Sequence, residues 1–166
     1  MLQDDLSAVE GMPLRMMAVM VVLAISIPLV IGSFRAYDTG RAEASVFSEI
    51  RNLISAVQNI YASGEGNSMS LGFMTGGGSL ARVDSVTFGD VLGGELSSTI
   101  RYRLHGRTER IVVVESPNVP ITGPGGMPLG VGQGSYRILA ECLRSDTDLN
   151  SDGLSPDTYV RLSLIR

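Results

Sequence analysis

The chain has 166 residues, 44% of them apolar, with 13 arginines, no lysine, one histidine and a net charge of −4. That length suits one compact domain plus an added element. No basic run or stripe supplies the footprint of nucleic-acid binding, and the lone Cys142 excludes an intrachain disulfide scaffold and reads as a small apolar strand residue.

The apolar residues are unevenly placed. Residues 1–11, MLQDDLSAVEG, are polar and acidic. MPLR then leads into MMAVMVVLAISIPLVI, from Met16 to Ile31. Extended to Phe34, this block approaches the ~20 helical residues that cross a bilayer. A cleaved secretory signal fits it poorly. The leader is acidic, no small-x-small site closes the run, and helical pattern continues out of it. Arg15 and Arg35 flank the block, so counting basic residues gives no orientation. Arg15 reads as a side chain that snorkels to the membrane surface, and in a packed filament core it would need a carboxylate partner.

Beyond the block, Val46, Ile50, Leu53, Ile54, Val57, Ile60 and Tyr61 recur at helical spacing, with Arg41, Glu43, Glu49, Arg51 and Gln58 between them. This predicts an amphipathic helix stopped by Ser63-Gly64-Glu65-Gly66. No proline or turn cluster separates it from the apolar block, so one helix is expected over 12–63. Its residues 12–34 would serve membrane or filament core, and 35–63 would be amphipathic. Pro13 suits a first helical turn. Pro28 predicts a kink or melted turn.

After Asn67 the period changes to two. Met69, Leu71 and Phe73 alternate with small residues, and Val83–Phe88 reads as a strand. Ile100, Tyr102 and Leu104 alternate with Arg101, Arg103 and His105. Gly106-Arg107-Thr108-Glu109 turns the chain into Ile111-Val112-Val113-Val114, whose continuous apolar run predicts a central, doubly covered strand. Residues 116–134 read as a Pro/Gly-rich loop, and 135–143 and 158–165 as strands around an acidic loop. The expected class is α+β: a long, partly transmembrane N-terminal helix followed, over 64–166, by a head of about six strands in an antiparallel sheet or small β-sandwich.

On these residues the chain resembles the archaeal type IV pilin-like family. Ser7-Ala8-Val9-Glu10-Gly11-Met12-Pro13-Leu14-Arg15 is similar to the leader region of that group, in which a peptidase cuts after a glycine preceded by a charged residue. The resemblance implies processing at Glu10, Gly11 and Met12, with 1–11 as a cleaved leader and Met12 as the mature N-terminus. It also implies a pilin-like fold. Bacterial pilins carry a glutamate five residues into the mature chain, and Met16 stands there, so their glutamate-to-amine pairing does not carry over.

Catalytic motifs are wanting. His105 reads as an exposed strand residue rather than a general base, and no G-x-S-x-G, Walker loop or H-E-x-x-H occurs. The expectation is that the chain is not an enzyme. The acidic loop carries Asp146, Asp148, Asn150, Asp152 and Asp157, with Gly153 after Asp152. Oxygen ligands at alternate positions before a glycine suit Ca²⁺, with Asp157 as the closing carboxylate, although Tyr159 stands where an EF-hand has glutamate. The same residues are ordinary turn formers, and both readings stand.

The expected function is structural: a subunit of an extracellular filament for adhesion or motility. It would be held in the membrane before assembly and extracted by pilus assembly machinery. It would then self-assemble into a helical polymer, burying Met16, Val19, Leu23, Ile27, Pro28 and Ile31 against neighbouring copies. The alternative is a monomeric, membrane-anchored surface binding module with a β head, similar to archaellum stator subunits.

Overall fold

The computed structural model describes residues 3–76, 82–115, 117–146, 148–149 and 157–165, with side chains from residue 13 onward. The chain divides into two units, Met1–Asp38 and Thr39–Arg166. One helix, α1, spans Gln3–Ser63 and contributes to both.

α1 begins nine residues before the expected start, and Pro13 lies inside it. Proline needs only a φ near −65°, which a helix provides, and here it forgoes one bond to the Val9 carbonyl. A kink or melted turn was expected at Pro28, and of the two the melted turn does not occur, since the helix runs through Pro28 without a break. Proline removes a single donor there, so the Ala24 carbonyl lacks its usual amide partner while the flanking turns persist. The C-terminal stop is built as the glycines predict. Gly64 adopts φ +87° and donates its amide to the Tyr61 carbonyl at 3.1 Å. Asn67 Nδ2 donates to the Ser63 carbonyl at 2.7 Å, and the Gly66 amide reaches the Cys142 carbonyl at 3.0 Å.

The second unit adds eight strands among the described residues: β1 (Ser68–Thr75), β2 (Val83–Phe88), β3 (Thr99–Leu104), β4 (Arg110–Val113), β5 (Ile121–Thr122), β6 (Leu129–Val131), β7 (Gly134–Ser145) and β8 (Asp157–Ile165). They form two four-stranded sheets, ordered β1-β7-β8-β5 and β4-β3-β2-β6. The first sheet is mixed, not purely antiparallel, because β5 pairs parallel to β8 with Ile121 opposite Val160. The segment expected as a loop over 116–134 supplies both β5 and β6, one to each sheet. Its apolar residues are too few for a strand pattern, yet Val119 and Ile121 are fully buried. The crossing is close: a Cβ on Gly89, at φ +63°, would lie 1.9 Å from the Ile121 carbonyl oxygen.

Both sheets and the second half of α1 share one core. Val46, Ile50, Leu53, Val57 and Ile60 are buried in it, with Ile54 and Tyr61 partly so. That is the stripe the 3.6-residue spacing predicts, and each such side chain contributes about 1.5–3 kcal/mol on burial. Phe73 of β1 and Phe88 of β2 join the sheets edge to face, with centroids 5.1 Å apart. Cys142 is fully buried in β7, as a small apolar residue there should be. β4 corrects the expectation of a doubly covered strand. It is an edge strand, with Ile111 54% and Val113 52% exposed while Val114 is buried. A run of four apolar residues is too short to separate a central strand from an edge with one covered face.

Candidate functional site

The first unit presents the feature most in need of a partner. Every described side chain from Pro13 to Tyr37 is exposed. Met16, Val19, Leu23, Ile27 and Ile31 are between 47% and 65% exposed, and Pro28 is exposed with them. Nothing along Met16–Phe34 carries a charge. The helix satisfies most backbone polar groups internally, and the Ser33 hydroxyl donates to the Leu29 carbonyl at 2.9 Å. What remains facing outward is hydrocarbon, and such a surface is long and apolar enough to cross a membrane. Arg15 sits at one end of this stretch and Arg35 at the other.

Glu10, Gly11 and Met12 have helical backbone within α1, and their side chains lie outside the described residues. The acidic loop is only partly described. Asp146, Asp148 and Asp157 are described, whereas Asn150 and Asp152 fall outside the described residues. The Leu149 amide donates to Asp157 Oδ2 at 2.5 Å, so Asp157 closes the loop on itself. Among the described residues no three His, Cys, Asp or Glu side chains come together as metal ligands.

His105 is 74% exposed, and its Nδ1 lies 3.1 Å from Asp84 Oδ1. Arg103 is 3.9 Å from the other oxygen of the same carboxylate. This is a surface charge cluster on the polar side of β3.

A second polar cluster has no signal in the sequence. Arg110, at the start of β4, pairs with Glu43 of α1, and the Tyr102 hydroxyl bonds to both. They line a cavity of about 60 Å³ with Leu104, Arg107 and Thr108. Burial raises the Tyr102 pKa above its ordinary value, and the Glu43 charge adds to the rise. Further along, Gln58 Nε2 donates to the Glu115 carbonyl at 2.8 Å. These contacts fasten α1 to both ends of β4. They join residues far apart in sequence, so no local spacing announces them.

Comparison with known proteins finds no family model, no curated protein and no solved structure that matches this chain.

Proposed function

We propose that the chain is a structural subunit of an extracellular, type IV pilus-like filament for adhesion or motility. In this reading the pilin-like fold is a single helix that serves two cores. One observation carries it: α1 buries its stripe from Val46 to Ile60 within its own head, yet leaves Met16 to Ile31 uncovered. An apolar surface of that extent does not remain in water, since burial stabilises by about 25 cal/mol per Å². A bilayer covers it before assembly. After cleavage behind Gly11 and extraction by assembly machinery, the same segments of neighbouring copies cover one another, and the heads face outward.

The test is electron microscopy of material sheared from the cell surface, with mass spectrometry of its subunit. Filaments built of this chain, beginning at Met12, are expected. Recovery of the chain only from detergent-solubilised membranes, as a monomer, would instead identify an anchored surface module.

The proposal extends to the acidic loop as a Ca²⁺ site in the extracellular medium, held by Asp146, Asp148, Asn150, Asp152 and Asp157. Oxygen-bearing side chains at alternate positions before a glycine suit such a hard cation, and exposed loops of this kind bind at about 10⁻⁴–10⁻³ M. Millimolar calcium is expected to raise the melting temperature relative to chelator, with binding heat in calorimetry. Identical melting and no heat would leave an ordinary acidic turn.

A further inference from the structure

Where α1 passes β3 and β4 the head has an open hollow of about 320 Å³, lined by Gly40, Glu43, Ala44, Phe47, Tyr102 and Arg110. It shares Glu43, Tyr102 and Arg110 with the cavity of about 60 Å³ beside it. Helical spacing explains its shape. Gly40, Ala44 and Phe47 follow one another along one side of α1, and the first two have little bulk. A Cβ on Gly40 would meet nothing within 4 Å. Side chains of a helix lean toward its N-terminus, so Phe47 leans over this floor. The Arg51 guanidinium stacks on the same ring from the following turn, 4.6 Å from its centroid. Glu43 and Arg110 form a polar rim, with side chains 28% and 61% exposed.

We propose that this hollow binds a neutral sugar ring, one hexose unit of a free or surface-bound saccharide. Its volume lies at the small end of ligand pockets, which run from about 300 Å³ upward. Electrostatics select among guests of that size. An anion would be set against Glu43, and a cation against Arg110 and the exposed Arg107. A purely apolar guest would cover the charged rim and offer no hydrogen bonds in place of water. A sugar meets both demands. Its ring C–H groups lie on the negative face of the Phe47 ring, while its hydroxyls donate to Glu43 and accept from Arg110. A guanidinium carries more donors than one carboxylate accepts, so Arg110 holds Glu43 and the guest together. Such a site goes beyond a filament subunit and gives an adhesive use a ligand class.

The full-length chain, in a detergent without a sugar headgroup, is mixed with the methyl glycosides of glucose, galactose, mannose and N-acetylglucosamine at millimolar concentration. Saturation transferred from the protein to each sugar is read by NMR. Transfer to the ring C–H protons of at least one glycoside is expected. Gly40→Leu fills the hollow without removing a contact and should abolish the transfer. Its melting temperature should stay at or above the parent's, because leucine is the better helix former. Phe47→Leu should weaken the transfer, and Ile111→Thr, outside the hollow, should leave it unchanged. No transfer to any of the glycosides overturns the proposal. So does undiminished transfer in folded Gly40→Leu, which would place the sugar elsewhere. Retention of the parent, and not of Gly40→Leu, on beads carrying mannan or galactan assigns a surface polysaccharide as the source, whereas transfer without retention assigns a free sugar. The measurement needs no assembled filament, so sugar binding and filament formation stand or fall separately.

Discussion

At the scale of single residues, the head keeps two ionisable groups in surroundings that favour their neutral forms. Burial pushes the Cys142 thiol up from its ordinary value of 9.0, with the Glu65 charge adding to it, and Tyr102 rises from 10.0 for the same principal reason. In the unfolded chain both ionise at their ordinary values, so the unfolded state releases its protons first as pH rises. The stability tied to these groups is therefore complete below about pH 8.5–10 and is lost as pH climbs through the higher folded values. Tyr102→Phe removes one of the two contributions. Its melting temperature should fall less steeply than the parent's above about pH 10, while at neutral pH the lost hydroxyl contacts with Glu43 and Arg110 should cost about 0.5–1.5 kcal/mol. Thermal melts of both proteins across the alkaline range test this, and parallel curves would contradict it. Native Cys142 should likewise stay unmodified by an alkylating reagent until denaturant is added, because the thiolate is the reactive form and the side chain is fully buried.

At the scale of elements, the buried stripe of α1 and the edge strand β4 look alike in composition and differ in consequence. Leu53→Ala empties a site touched on all sides and should cost about 2–5 kcal/mol. Ile111→Thr and Val113→Thr alter side chains more than half exposed and should stay within about 0.5 kcal/mol of the parent. Denaturant titration of the three variants reads the contrast directly, and a large loss from Val113→Thr would mean that β4 is covered after all. The helix was legible because seven residues at one spacing over four turns leave little choice of period, and Gly64 and Gly66 mark its end in positive-φ conformations. The strands at 83–88 and 99–104 were legible for the same reason at period two. β5 and β6 were not, since Ile121–Thr122 and Leu129–Val131 are too short to show a period and are fixed by pairing with strands distant in sequence. The extension of α1 to Gln3 was also hidden, because proline is read as a boundary although it deletes only one bond. Of the candidate site, the apolar segment was visible in full, whereas the Glu43–Arg110–Tyr102 cluster exists only once the fold brings α1 beside β4.

At the scale of the whole molecule, one continuous helix belongs to two environments, and the two can be separated by where a charge is placed. The head has its own core, drawn from Val46 to Leu162, and none of its residues comes from the first unit's apolar block. Leu23 is exposed on that block, so in the isolated chain an aspartate there touches water and disturbs nothing in the head. Leu23→Asp should therefore leave the melting temperature of detergent-solubilised protein within a few degrees of the parent. Insertion is a different matter, because an aspartate near the middle of a spanning helix costs about 2.5–3.5 kcal/mol on insertion scales. A helix bundle imposes a comparable cost for an unpaired buried charge, several kcal/mol, repeated at every subunit. Cells making Leu23→Asp in place of the parent chain should yield no sheared filaments, while an equally exposed change in the head, Ile111→Asp, should still assemble. Normal filaments from Leu23→Asp would remove the bundled core, and an unfolded head in the same variant would mean that the apolar block supports the head as well as the assembly.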